Sequence, residues 1–168
     1  MYHLQHLYYV NVHNGTAPSP DFNTAIRGQL LSGFRAALSP RQTVAPFNDV
    51  NGIRRSRGKA KITFEAAGSK ACFNDRIYGF DPLLGHIHKS SVGTNGPLKF
   101  NYSSLKSGTG QFSGCLPTNG TTLEATITDV LDLLANPQMY YFDYHLSNST
   151  EGNRPGINVS IRGQIKRY

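Results

Sequence analysis

Short runs in which apolar and polar positions alternate with a period of two dominate the chain. In residues 7–13, Tyr8, Val10 and Val12 fall on one face and Tyr9, Asn11 and His13 on the other, the pattern of a half-buried strand. Residues 24–38 read as a second extended region, with Gly28 and Gly33 as candidate bulges or bends. Gln42-Thr43-Val44, between Pro40 and Pro46, reads as a short edge piece. Ala60-Lys61-Ile62-Thr63-Phe64-Glu65 alternates cleanly, and Arg76-Ile77-Tyr78-Gly79-Phe80 and Leu98-Lys99-Phe100-Asn101-Tyr102 are further strand candidates. Val92 to Pro97 is a turn, and Gly108 to Gly114 is a Gly-rich connection to Cys115. One segment switches to the helical period, with Leu123, Ile127, Val130, Leu131 and Leu134 on one face. Thr121 or Thr122 can cap it, and Asn136-Pro137 stops it. The pattern predicts an all-β, mainly antiparallel sandwich or barrel of roughly six to nine short strands, with one short α-helix near residues 122–135.

The alternation contains a repeat. Tyr8-Tyr9-Val10-Asn11-Val12-His13, followed by Ala25-Ile26-Arg27-Gly28-Gln29-Leu30, returns as Tyr140-Tyr141-Phe142-Asp143-Tyr144-His145, followed by Ser160-Ile161-Arg162-Gly163-Gln164-Ile165. A unit this short is no domain, and 168 residues leave no room for two full repeats. The second copy is expected to close one domain over 33–168. Residues 1–32 then read as the tail of a preceding repeat, or as a strand pair exchanged with a neighbour.

Composition narrows the class. No stretch approaches the ~18 apolar residues of a membrane-spanning helix. Gly is plentiful at 17 residues and Trp is absent, which suits short strands joined by turns. Cys72 and Cys115 form a single possible pair, either a disulfide or two reduced core thiols. Glycosylation sequons at Asn14, Asn101, Asn119, Asn148 and Asn158 favour the disulfide and a secreted, extracellular glycoprotein. Residues 1–10 lack a signal-peptide layout, so Met1 reads as an internal residue of a longer precursor or an expression start.

The formal net charge is +7, and Arg54, Arg55, Arg57, Lys59 and Lys61 lie within eight positions. They read as a solvated basic loop that can contact an acidic glycan or a protein ligand. A nucleic-acid site would need interleaved aromatics, and this run has none before Phe64, so no nucleic-acid partner is expected.

No phosphate-binding loop, nucleophile elbow, metalloprotease helix or Cys-x-x-Cys pair is present, and the chain reads as a non-enzyme. The constellation that carries chemistry is histidine. His86 and His88 flank Ile87 on a strand candidate, which sets both rings on one face roughly 6–7 Å apart. A third ligand can come from His145 or from its repeat counterpart His13. Imidazole sites suit copper or zinc. The repeat arginines Arg27 and Arg162 read as structural, lying across an aromatic face or satisfying carbonyls. The tyrosine pairs read as core anchors.

These residues resemble a known family. Gly85-His86-Ile87-His88 with Gly93-Thr94-Asn95-Gly96-Pro97 is similar to the signature of the chordin-type (CHRD) domain. Residues 37–46 resemble its opening strand, and Asn136-Pro137 through His145 with Ile161-Arg162-Gly163-Gln164 resembles its closing segment. The resemblance runs over about residues 33–166, and residues 7–30 resemble only the closing segment, as in a tandem array. It implies a β-rich extracellular module. The His-x-His strand with a late His also resembles the copper site of the Cu/Zn superoxide dismutase β-sandwich, with His86 and His88 in place of the paired strand ligands and His145 the late one. That implies at most a mononuclear copper site with a dismutase-like metal activity. The expected function is a structural or assembly module, self-associating into arrays or filaments by β-strand addition through residues 7–30. A copper-binding, redox protein is the first alternative, and a module binding a protein ligand or acidic glycan is the second.

Overall fold

A computed structural model describes residues 9–13, 24–29, 32–44, 55–65, 69–118, 126–145 and 159–167. The strands are β1 (Tyr9–His13), β2 (Thr24–Gln29), β3 (Ser32–Leu38), β4 (Arg57–Glu65), β5 (Lys70–Tyr78), β6 (Leu84–Lys89), β7 (Leu98–Asn101), β8 (Lys106–Gly108), β9 (Gln111–Pro117), β10 (Tyr140–His145), β11 (Val159–Gln164) and β12 (Lys166–Arg167). The helix is α1 (Ile127–Ala135). All pairings between strands are antiparallel. One sheet runs β11-β10-β6-β7 and the other β12-β3-β4-β5-β9-β8, while β1 and β2 form a two-stranded sheet of their own. The expected all-β sandwich with one helix is the architecture found.

Period-two alternation decides what each strand buries. On β4, Ala60, Ile62 and Phe64 turn inward and Arg57, Lys59 and Lys61 outward. On β5, Ala71, Phe73, Asp75 and Ile77 face the core. The smaller sheet answers with Ile87, Phe100, Tyr140, Phe142, Tyr144 and Ile161. Burying each such side chain is worth about 1.5–3 kcal/mol. Tyr102 stacks on Phe73 at 4.1 Å between ring centroids. Cys72 and Cys115 lie directly opposite each other on β5 and β9 and form a disulfide. Gly163 is required where β11 crosses β3, because a Cβ there would lie 2.5 Å from the Ala37 carbonyl oxygen.

Several elements differ from the expectation. The extended region at 24–38 is two strands in different sheets. The expected edge piece Gln42-Thr43-Val44 is not a strand: Gln42 ends a 3-10 turn over Pro40–Gln42, which Ser39 caps and Pro40 starts, and Thr43 and Val44 follow it without strand pairing. The Gly-rich connection is the β8–β9 hairpin. The basic run is not a loop from Arg57 onward, because its small and apolar residues at alternate positions complete β4. Arg55 precedes it in a turn, and Arg54 lies outside the described residues. The helix is capped at Thr126, whose Oγ accepts from the Asp129 amide at 3.1 Å. Thr121, Thr122 and Leu123 lie outside the described residues. Its buried face is Val130, Leu133 and Leu134, leaving Ile127 and Leu131 nearly half exposed.

Candidate metal centre

The outer face of the smaller sheet is where the histidines converge. His86 and His88 on β6 project from the same side, with ring centroids 5.8 Å apart. The β6–β10 register places Asp143 directly opposite His86 and Tyr141 opposite His88. His145, two residues beyond Asp143 on β10, shares that face. A period of two on each of two neighbouring strands thus brings three imidazoles and one carboxylate to one point. Candidate ligand atoms of His86, His88, Asp143 and His145 all lie within 4.8 Å of one another.

His86 Nδ1 is 3.3 Å from His145 Nε2. Asp143 Oδ1 is 3.4 Å from His88 Nε2, 3.4 Å from His145 Nε2 and 4.0 Å from His86 Nδ1. A tetrahedral ion with bonds of about 2.05 Å has ligand–ligand edges of about 3.3 Å. Three of these four separations match such an edge, and the fourth is longer. His88 Nε2 and Asp143 Oδ1 are both buried, and each has only the other members of the cluster within reach, at 3.4 Å or more.

Supporting groups hold the ligands in place. His88 Nδ1 lies 2.9 Å from the Gly96 carbonyl oxygen, so Nδ1 carries a proton there and Nε2 faces the cluster, with a lone pair whenever the ring is neutral. The Gly96 amide in turn donates to the Tyr141 hydroxyl at 3.2 Å. The Tyr141 ring stacks on His88 at 5.3 Å. On its other side the Arg162 guanidinium lies 3.3 Å from the ring centroid and donates to Asn95 Oδ1 and the Ser91 carbonyl. Residues 90–97 therefore form a strap over the sheet. Gly96 is the position where it touches down, because a Cβ there would fall 1.9 Å from the Lys89 carbonyl oxygen.

The electrostatics follow from burial and from Asp143. Burial pushes the Asp143 carboxyl up, but the imidazoles of His88 and His145 outweigh it and hold the group well below the ordinary carboxylate range. Burial draws His86 down to about 4, beyond what the Asp143 charge restores. Burial also pulls on His88, but Asp143 and the Gly96 carbonyl lift it above its ordinary value.

Residues 34–165 match the family model described as CHRD domain. The chain belongs to the CHRD-domain family. No curated protein and no solved structure matches the chain.

Within the CHRD unit, the structure places His145 beside the His86–His88 pair and adds Asp143. The signal for Asp143 was available in Asp143-Tyr144-His145, a period-two pair like His86-Ile87-His88. His13 instead ends β1, where it pairs with Thr24 as His145 pairs with Val159. Arg162 lies across the Tyr141 ring, one of the two placements expected of it. Asn101 is half-buried on β7, and its side-chain oxygen accepts from the Ser103 amide at 3.2 Å. Asn14, Asn119, Asn148 and Asn158 lie outside the described residues. No helix of the described residues is long and apolar enough to cross a membrane.

Proposed function

We propose that this CHRD domain is an extracellular module that binds one divalent transition-metal ion, copper or zinc, through His86, His88, His145 and Asp143. The observation that carries this reading is the convergence of three imidazoles and one carboxylate, all within 4.8 Å of one another, on the outer face of the smaller sheet, with His88 Nε2 and Asp143 Oδ1 buried 3.4 Å apart. With the His88 ring neutral, Nε2 and the carboxylate oxygen are two acceptors that repel at that distance, and a cation between them removes the repulsion. Three imidazoles and a carboxylate suit copper or zinc. When bound, the ion supplies positive charge that offsets the buried carboxylate and ties β6 to β10. The chain supplies the ligands, the strap carbonyl that fixes the His88 tautomer, and the Arg162–Tyr141 stack that keeps the ring in place. Four protein ligands favour retention over turnover, so the role is binding rather than dismutase catalysis. Elemental analysis of protein purified without added metal tests this directly. One equivalent, lost in His88→Ala, is the expected result. Sub-stoichiometric metal unchanged by that substitution would sink the proposal.

A second reading concerns assembly. The β1–β2 register is the β10–β11 register position for position: Tyr9↔Gln29 matches Tyr141↔Gln164, Asn11↔Arg27 matches Asp143↔Arg162, and both pairs shift register at the final His. A lone two-stranded sheet is marginal in water. Addition beside a His-x-His strand of another CHRD sheet would give it a partner, setting Asn11 and His13 at the positions of Asp143 and His145. Secretion and glycosylation belong to the same reading, supported by the disulfide. Light scattering of the chain lacking residues 1–30 tests it; assemblies of unchanged size would reject strand addition.

A further inference from the structure

The outer face of the six-stranded sheet carries a second feature, independent of the metal centre. The register aligns Lys166 on β12, Arg35 on β3 and Lys61 on β4 directly across three neighbouring strands. Two residues along β4, Lys59 lies directly opposite Arg76 on β5. All five side chains are exposed. Strands lie about 4.8 Å apart and successive outward positions about 6.6 Å apart, so five cations crowd one patch of sheet. Among the outward positions of β3, β4, β5 and β12, Glu65 is the sole carboxylate, and it sits at the end of β4 opposite Lys70.

Like charges placed directly opposite each other on a sheet destabilise it. A sequence selected only for folding would interleave signs, as the smaller sheet's surroundings do with Lys89–Asp132 and Lys99–Asp129. The patch also borders a groove of about 620 Å³ lined by Arg35, Lys59, Lys61 and Lys166, with Asn74 among them. Ala37, the exposed position two residues along β3 from Arg35, also lines the groove, and its small side chain leaves room for a chain to lie between the cations.

We propose that this face binds a linear acidic polysaccharide, its anionic groups spaced along the Lys166–Arg35–Lys61 row and the neighbouring Lys59–Arg76 pair. Charge complementarity selects a polyanion and repels a second copy of the same face. A nucleic-acid reader would add several stacking aromatics, whereas the exposed aromatic at this face is Tyr78, at the end of β5 with Arg57 over its ring. Asn74 among the cations suits a hydroxyl-bearing partner. The basic segment recognised in the sequence therefore acts as part of a strand, jointly with Arg35, Arg76 and Lys166 from three others.

The test is equilibrium binding of the full chain to heparin and to polygalacturonate, titrated with NaCl. Binding to either at about 150 mM ionic strength, with affinity falling log-linearly in salt, is expected, and the preferred probe assigns sulfate or carboxylate. The variant K59Q/K61Q/R76Q removes three exposed cations from the face and should weaken binding at least about tenfold and flatten the salt slope by roughly two to three. The control K89Q/K99Q/K106Q removes three cations elsewhere and should change affinity far less. Far-ultraviolet circular dichroism establishes that both are folded. The proposal is overturned if both triples weaken binding equally, if neither polysaccharide binds, or if double-stranded DNA or phosphatidylserine vesicles bind at least as tightly.

Discussion

Asp75 should make this domain more stable in mild acid than in mild base. Its carboxyl lies between the sheets at 1% exposure, with Oδ1 accepting from the Lys61 amide at 2.9 Å and Oδ2 from the Tyr144 hydroxyl at 2.8 Å. Burial raises its pKa from 3.8 to about 7, and the Lys61 and Tyr144 hydrogen bonds only partly offset it. The folded value stands above the unfolded one. The protonated group's full stability is therefore present below about pH 4 and is lost as pH rises to about 7. A shift of about three units at 1.36 kcal/mol each gives about 4 kcal/mol. Asp75→Asn removes the ionisation while its amide oxygen can still accept from Lys61 and its amine faces the Tyr144 hydroxyl. Urea unfolding of both proteins from pH 4 to 8.5 isolates the effect, because groups that titrate the other way, such as His86 with its value near 4, cancel in the difference. The Asn variant should gain on the parent by ~1.4 kcal/mol per pH unit through that window and then level off. Parallel stability curves would refute the reasoning, and would mean that the two hydrogen bonds hold Asp75 ionised.

Three further outcomes are expected. Free copper or zinc at a hundredfold excess over its dissociation constant should stabilise the protein by ~2.7 kcal/mol, read as a thermal midpoint that falls on chelation; a midpoint indifferent to chelator contradicts the metal site. Gly96→Ala collides with the Lys89 carbonyl and shifts the strap off His88, so metal affinity should drop about 10–100-fold in a competition titration, and unchanged affinity would deny the strap its orienting role. Reducing the Cys72–Cys115 bond, which closes 43 residues, should lower stability by about 4 kcal/mol in urea with and without reductant; coincident unfolding curves would contradict this.

The sequence by itself determined the β character, the strand faces and the family. Alternation such as Ala60, Ile62 and Phe64 against Lys59, Lys61 and Thr63 is a local property, because successive side chains of a strand must point to opposite sides. His86 and His88 were legible as a same-face pair for that reason. Tertiary structure alone decided which strands are neighbours. The β6–β10 register, joining residues some sixty positions apart in sequence, put Asp143 opposite His86 and made a cluster from two period-two pairs. The β12–β3–β4 register likewise joined Lys166, Arg35 and Lys61 into one basic row. The turn Gly93-Thr94-Asn95-Gly96-Pro97 was visible as a turn, but its work on His88 and Arg162 exists only where the strap meets the sheet. Period fixes a side chain's face, and pairing between distant strands fixes what that face confronts.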